Sequence, residues 1–332
     1  MTGPSAIAAL GARLRLPVVA APLFLVSGPE LVIACCRAGI LGTFPAANAR
    51  STEELISWVE QIDAALGAEA APYAINVIVR DAAHRRFAQD LAVIERLRPP
   101  VVITSVGAPG DVVRRVHDYG GLVFHDVATL RHAHKAIEAN VDGVILLTAG
   151  AGGHTGSLNP FGFVPEVCRI FDGAILLAGA ISTGDGIRAA ETLGADFAYM
   201  GTRFAATAES LASARYKQLL VEQGMADVII TDRVSGLPAT FLRGSLRDVG
   251  LAPETLPPLI APRTPDLPDD LKAWRDIWSG GHGVGLIDDA PPVAVLVDRL
   301  MTEYTAAMLA ANRSGCTDLD RRRLSDAPGR WR

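Results

Sequence analysis

The sequence predicts an α/β fold, a (β/α)8 barrel (TIM barrel) with a smaller inserted helical domain. Eight short apolar runs rich in β-branched residues alternate with polar–apolar segments of helical period. Runs that are apolar throughout are typical of parallel strands buried on both faces. An open doubly wound sheet is the main alternative, but it typically has about five to seven strands. The count of eight therefore favours the barrel.

The predicted elements follow one another regularly up to residue 222. The predicted strands cover residues 18–24, 40–44, 73–79, 101–106, 122–126, 143–148, 174–180 and 197–202. Apolar residues at three- and four-residue spacing predict helices at residues 29–38, 53–66, 82–97, 111–119, 129–140, 164–171, 185–193 and 209–222. Ser51 or Thr52 is the expected cap of the second helix.

The pattern changes after the eighth strand. Residues 217–290 contain short helical stretches among many prolines, with one strand-like run at 228–231, and residues 292–311 again have an amphipathic helical pattern. We therefore expect a barrel at residues 1–216, a helical lid or substrate domain at 217–290, and a helix at 291–312 that returns to the barrel. A polar, flexible tail is expected at 313–332.

Composition excludes several classes of protein. The 332 residues are enough for about two domains or one large barrel, and 49% hydrophobic with 20% charged residues excludes a largely disordered chain. A net charge of −5 gives no indication of binding to nucleic acid or to an anionic membrane. The four cysteines lack CxxC spacing, so we expect reduced thiols in a cytoplasmic protein.

The carboxyl ends of the strands are where a barrel of this kind places its active site. After the sixth run, residues 149–156 (AGAGGHTG) put four glycines around His154. Such a loop lets backbone approach a flat or charged ligand closely, although a plain surface turn is the alternative. It is not a dinucleotide fingerprint, because Thr155 stands where the last glycine would be.

The loops after the seventh and eighth runs could form a phosphate cradle. Their small residues leave room for phosphate oxygens, and one of them adds a hydroxyl donor: Gly179, Ala180, Gly201 and Thr202. Small residues at strand ends are also common for packing reasons. Their occurrence in two successive loops favours the phosphate site.

Three further places at strand ends are candidates for ligand contact. Asn76 lies inside the third run, where a buried amide needs a hydrogen-bond partner. In the fifth run, either His125 or Asp126 could face the barrel mouth, or the two could be a hydrogen-bonded core pair. An apolar floor under a flat ring could come from the end of the first run, Ala21, Pro22 and Leu23.

Other catalytic signatures are missing from the sequence. There is no HExxH, no G-x-S-x-G and no Walker A motif, and no metal site is expected. His132 and His134 are two residues apart and so lie on different faces of a helix. The pattern that remains is that of a phosphate-bearing cofactor beside one proton-transfer residue.

Several motifs together resemble those of the nitronate monooxygenase family, formerly called 2-nitropropane dioxygenases. They are AGAGGHTG at 149–156, GAI at 179–181, GAD at 194–196, MGTRF at 200–204, VAAPL at 19–23, Asn76 and WSGGHGVGLI at 278–287. The resemblance spans most of the chain. It implies an FMN-dependent (β/α)8 barrel with an added helical domain, and FMN as the cofactor.

The resemblance also implies roles for individual residues. His154 would be the catalytic base, and Gly179, Ala180, Gly201 and Thr202 would hold the FMN phosphate. The flavin ring would be contacted by Ala21, Pro22, Leu23, Asn76, His125, Ala151, Gly152 and Gly153. The chain departs from the usual pattern at three places: His125 replaces a lysine, Ala180 a glycine and His282 a glutamine.

The activity that the resemblance implies is oxidation of alkyl nitronates by O2 to carbonyl compounds and nitrite. A neutral nitroalkane would first lose a proton, for which the imidazole of His154 is suited. One alternative is an NAD(P)H-dependent reductase of quinones or enoyl thioesters, and another is a non-catalytic flavin- or phosphate-binding module. We expect a small-molecule substrate and O2 as partners, no nucleic acid or membrane, and a homo-oligomer is compatible with the sequence.

Overall fold

The computed structural model describes residues 4–79, 84–255 and 267–313. Eight parallel strands form a nearly closed barrel: β1 (Val18–Ala20), β2 (Gly42–Pro45), β3 (Tyr73–Val79), β4 (Val101–Val106), β5 (Leu122–Val127), β6 (Gly143–Leu147), β8 (Ala174–Ala178) and β9 (Phe197–Met200). Their order around the barrel is β1-β9-β8-β6-β5-β4-β3-β2. A bridge between Val19 and Leu41 brings β1 beside β2. The predicted barrel is confirmed.

Helices connect and surround these strands. They are α1 (Pro4–Ala12), α2 (Pro29–Ala38), α3 (Thr52–Ala65), α4 (Arg85–Leu97), α5 (Gly110–His117), α6 (Leu130–Glu138), α7 (Pro160–Cys168), α8 (Gly184–Leu193), α9 (Thr202–Ala205), α10 (Ala214–Glu222), α11 (Arg243–Asp248) and α12 (Val293–Arg313). The predicted cap of α3 is Ser51, whose side chain accepts a hydrogen bond from the Glu54 N–H. No helix among the described residues is both long and apolar enough to cross a membrane.

Alternation along the barrel strands divides the core into two layers. Every second residue, for example Ile103, Phe124 and Ile145, packs into a cluster inside the barrel. The residues between them, such as Val102 and Val123, pack against the surrounding helices. Because both faces are buried, most residues of each strand are apolar, and the polar exceptions include Asn76 on β3 and Asp126 on β5.

The segment between α9 and α12 is less purely helical than the sequence suggests. It contains the predicted strand β10 (Val228–Thr231) and a second strand, β11 (Ala239–Leu242). These two pair antiparallel and continue into β7 (Gly153–His154), which belongs to the glycine-rich loop after β6. The inserted segment is therefore attached to the carboxyl edge of the barrel by a small three-stranded sheet.

The last helix, α12, lies against the barrel wall. Its residues Val293, Leu296 and Leu300 are buried in a cluster shared with α2 and α8. Glu303 also accepts a hydrogen bond of 2.7 Å from the Gly184 N–H at the start of α8. The division of the chain at residues 216 and 290 remains a prediction, and the predicted tail from residue 314 lies outside the described residues.

Candidate active site

The loop after β1 lies beside the loop after β9. The Ala21 N–H donates a hydrogen bond of 2.9 Å to the Met200 carbonyl. A Cβ added to Gly201 would lie 3.2 Å from Leu23 Cδ2 and 3.6 Å from Ala21 Cβ. The Leu23 carbonyl accepts a hydrogen bond from Asn48 Nδ2 at 2.9 Å, which fixes the turn. Ala21, Pro22 and Leu23 thus form an apolar rim next to the start of α9.

The glycine-rich loop after β6 is held in place by the inserted segment. The Gly153 N–H donates to Ser279 Oγ at 2.7 Å, and Thr240 Oγ1 donates to the Ala151 carbonyl at 3.1 Å. Ala151 itself is buried in the interior cluster of the barrel. Gly153 has a φ of +78° and no atom within 4 Å of an added Cβ, so this part of the loop opens onto free space. The loop is rigidly positioned yet accessible.

His154 projects from this loop beside a pair of aromatic rings. Its imidazole stands edge-on to Trp274, with 5.5 Å between ring centroids and an interplanar angle of 76°. Trp274 stacks in turn on Phe241 at 4.9 Å. The residue stays solvent-accessible, but the protein around the ring removes water from one side. This desolvation lowers the pKa of His154 below its ordinary value of 6.5.

The two loops proposed for phosphate meet the inserted segment at Thr202. Thr202 Oγ1 accepts a hydrogen bond of 3.0 Å from the Gly281 N–H, so its own proton remains available to a ligand. An added Cβ at Gly152 would lie 3.0 Å from the same oxygen, which places the glycine-rich loop there as well. Gly179 and Ala180 have φ values of +149° and +55°, a left-handed turn directly after β8.

Asn76 lies on the inner face of β3, as expected of a ligand-facing residue. It is only 7% exposed. Its Nδ2 lies 3.3 Å from the Ile103 carbonyl and 3.4 Å from Ser105 Oγ, both on β4. The amide is thus satisfied by the neighbouring strand while it remains in the lining of the barrel.

His125 lies on the side of β5 that faces away from the barrel axis. Its Nδ1 lies 2.8 Å from Thr104 Oγ1, and its strand neighbours Val123 and Val127 pack against the helices. Burial lowers its pKa to about 4, with His132 on α6 contributing less, so the ring is neutral. The inward residue is Asp126. The structure therefore disfavours the predicted flavin contact by His125, because successive side chains on a strand point to opposite faces.

Four residues of the inserted segment hold the site together, although no role was predicted for them from the sequence. These are Thr240, Trp274, Ser279 and Gly281. A signal existed in the glycine-rich run at 278–287, which indicates close backbone contact without naming the partner. The structure identifies that partner: the His282 N–H donates to the Gly150 carbonyl at 2.9 Å. Among the residues that the structure describes, no group of three or more His, Cys, Asp or Glu could hold a metal ion.

Curated relatives with sequence similarity to the chain include two kinds of enzyme. It is 28% identical, over 69% of its length, to a (3aS,4S,5R,7aS)-5-hydroxy-7a-methyl-1-oxo-octahydro-1H-indene-4-carboxyl-CoA dehydrogenase of Mycobacterium tuberculosis. The alignment covers 64% of that relative, just under two thirds of its length. The chain is also 27% identical to a nitronate monooxygenase of Paraburkholderia phytofirmans, over 86% of this chain and 92% of that protein.

Structural comparison and the family model agree with these relatives. The crystal structure of a nitroalkane oxidase from Streptomyces ansochromogenes superposes with a TM-score of 0.79 and 26% identity, covering 91% of this chain and 99% of that one. The family model described as nitronate monooxygenase matches residues 52–303, well over half of the chain. The chain therefore belongs to the nitronate monooxygenase family of flavin-dependent oxidoreductases.

Proposed function

We propose that the protein binds FMN at the carboxyl ends of its barrel strands and oxidises alkyl nitronates with O2 to carbonyl compounds and nitrite. The observation that carries this proposal is the match to the nitronate monooxygenase model over residues 52–303. That span contains the loops after β6, β8 and β9 and the whole inserted segment. The similarity to a nitroalkane oxidase over nearly the whole chain supports it further.

The residues at this edge are compatible with FMN. For the phosphate, the Thr202 hydroxyl and the backbone around Gly179, Ala180 and Gly201 offer donors without a bulky side chain. For the ring, the apolar rim at Ala21, Pro22 and Leu23 and the open backbone at Gly152 and Gly153 offer flat surfaces. A polar edge of the ring could contact two groups inside the barrel. One is the Asn76 amide, and the other is Asp126 Oδ1, which is buried and has no partner among the described residues.

When bound, FMN would supply the redox chemistry with O2. The contribution of the protein is to hold the substrate carbon in place, exclude water and move a proton. The fixing of its loop by Ser279 and Thr240 supports a role of His154 in the proton step. Since desolvation lowers its pKa, its imidazole is in the neutral form that accepts a proton from a nitroalkane at neutral pH.

Replacing His154 tests the base role. We expect His154→Asn to lower kcat/KM for a neutral nitroalkane by at least about a hundredfold, as loss of a general base does, while nitronate turnover stays within about threefold. The matched control is His134→Asn, an exposed histidine on α6, which should leave both activities unchanged. Equal losses on both substrates would contradict the assignment.

A second candidate function is an NAD(P)H-dependent reductase of quinones or enoyl thioesters. The similarity to a dehydrogenase whose substrate name ends in carboxyl-CoA favours this alternative. Anaerobic mixing of the flavin-loaded protein with NADH separates the two functions. Fast bleaching of the flavin absorption supports the reductase, whereas no bleaching supports the oxygenase. A protein that takes up no FMN would contradict both.

A further inference from the structure

Asp126 places a carboxyl group inside the mouth of the barrel. Alternation along β5 puts Leu122 and Phe124 in the interior cluster, and Asp126 continues the same face toward the carboxyl end. On the neighbouring inner positions of β3 and β4 stand Asn76 and Ser105, whose side chains lie within 3.4 Å of each other. Asp126 therefore belongs to a polar patch at the level where the ligand loops begin.

No other charged group balances this carboxyl from the strands around it. Strands β1, β2, β4, β6 and β8 contain no ionisable side chain. Tyr199 on β9 faces Asp126 from inside the barrel, and its pKa lies far above the ordinary value, so it stays neutral. Tyr73 on β3 and His125 on β5 belong to the opposite, helix-facing side.

The carboxyl is also short of a hydrogen bond. Its Oδ1 is buried and has no partner among the described residues. Burial without a compensating cation raises the pKa of Asp126 to about 7. Leaving a polar atom in this state costs stability, and such groups are enriched at sites that bind a ligand. The protonated acid, with one donor, is the form that this environment favours.

We propose that Asp126 is a binding residue for the flavin, donating a hydrogen bond from the inner face of β5 to an acceptor atom of the ring system. This inference rests on the proposed binding of FMN. A flavin ring carries carbonyl and imine acceptors, for which a neutral carboxylic acid is a donor and a carboxylate is not. Flavin affinity therefore falls as Asp126 loses its proton.

The direction of the pH dependence follows from the protonated state being the binding form. Below a pH of about 7 Asp126 holds its proton and the affinity is constant. Above about 7 the affinity falls, by up to about tenfold for each pH unit, until the pKa in the complex is reached. His125 is already neutral above about 4 and contributes nothing in this range.

The test is equilibrium binding of flavin to the apoprotein, followed by quenching of flavin fluorescence between about pH 6 and about pH 9. Riboflavin is measured beside FMN because it lacks the phosphate, which titrates in the same range. Asp126→Asn keeps a donor but does not titrate, and Asp126→Leu removes the donor while keeping the same branching at Cγ. Both variants should fold, since each removes an unpaired buried carboxyl.

For wild type we expect riboflavin affinity to fall at least about tenfold over this range. Asp126→Asn should change by less than about threefold, and Asp126→Leu should bind about tenfold more weakly than wild type at about pH 6, the loss expected for one hydrogen bond. If wild type and Asp126→Asn share one pH profile, or affinity rises with pH, the Asp126 proposal is overturned while FMN binding stands. If wild type binds neither flavin, the proposed function fails as well.

Discussion

At the scale of single residues, Ala180 holds a backbone conformation that suits glycine. Its φ is +55°, in the left-handed region, which costs a non-glycine residue roughly 1–2 kcal/mol. Replacing it by glycine relieves this strain but adds about 0.5–1 kcal/mol of unfolded-state entropy. We expect Ala180→Gly to raise the free energy of unfolding by up to about 1 kcal/mol in urea titrations. Ala139, with a φ of −82°, is the control, because Ala139→Gly should lower the free energy of unfolding. Equal losses of unfolding free energy in both variants would mean that Ala180 is not strained.

The environment of His154 predicts a pH profile. Packing of Trp274 against the imidazole removes water from the ring, so the pKa of His154 lies below 6.5. The base therefore loses activity only when the pH falls below this lowered pKa. We expect the acidic limb of kcat/KM for a nitroalkane to reflect this pKa. Trp274→Leu exposes the ring to water and should raise the midpoint of the acidic limb toward a pH of about 6.5. If the midpoint is unchanged in this variant, Trp274 does not set the pKa of His154.

The orientation of β5 could not be predicted from the sequence. Both faces of a barrel strand are buried, so inward and outward residues are equally apolar, as Leu122, Val123 and Phe124 are. The apolar pattern therefore does not show which residues of β5 face the barrel interior. A polar pair at the strand end is therefore ambiguous, and the structure resolves it in favour of Asp126. The sequence likewise indicates that Asn76, an amide within an apolar run, needs a hydrogen-bond partner, but it does not show that the side chain points inward.

Among the elements, an ion pair with a buried arginine links α9 to the chain just before α12. Arg203 is 2% exposed and donates to the Asp289 carboxylate at 3.0 Å, while Arg299 binds the same carboxylate. Asp289→Ala would leave the Arg203 charge buried, so we expect a loss of about 2–3 kcal/mol in unfolding free energy, reduced by water that reaches the 40% exposed Asp289. Adding Arg203→Met to Asp289→Ala removes both partners and should restore part of the lost unfolding free energy.

The control for this pair lies on the same helix. Asp298 of α12 binds Arg15, but both side chains are largely exposed. Asp298→Ala should therefore cost less than about 1 kcal/mol. A similar loss in Asp289→Ala and Asp298→Ala would mean that burial of Arg203 adds nothing.

Elements with strong local signals were predictable, and those without were not. α2 (Pro29–Ala38) has the predicted boundaries, because a proline at its start and Gly39 at its end mark them locally. Strand β11 (Ala239–Leu242) was missed because Ala239 and Leu242 do not favour a strand, whereas the equally short β10 (Val228–Thr231) consists entirely of β-branched residues. Strand β7 lies in a glycine-rich run, where only pairing with β11 makes it a strand.

At the scale of the whole molecule, the inserted segment and the barrel meet at Gly281. An added Cβ there would lie 2.6 Å from the Gly150 carbonyl oxygen and 2.8 Å from the Gly152 nitrogen, both backbone atoms that cannot move aside. We expect Gly281→Ala to lower the free energy of unfolding by about 1–3 kcal/mol and to weaken FMN binding, because the segment is displaced from Thr202. Gly285→Ala is the control, since its nearest atom would be 3.4 Å away. Equal effects of the two variants would contradict this contact.

The barrel was predictable from a count of apolar runs, but the contacts between the inserted segment and the barrel were not. The hydrogen bond between Gly153 and Ser279 joins residues 126 positions apart. Nothing local in either loop specifies the other as its partner. On the barrel side, strand ends and glycines were enough to choose candidate site residues, which remain predictions. The residues of the inserted segment that contact them were visible only in the structure.

We propose that this barrel uses FMN and O2 to turn a nitronate into a carbonyl compound and nitrite. The most direct measurement mixes the FMN-loaded protein with an alkyl nitronate in air-saturated buffer without NADH, and follows O2 uptake and nitrite together. We expect O2 to be consumed and nitrite to accumulate, and both to stop when O2 is removed. The proposal would be contradicted if the protein produced no nitrite and took up no O2, while NADH rapidly bleached its flavin under anaerobic conditions.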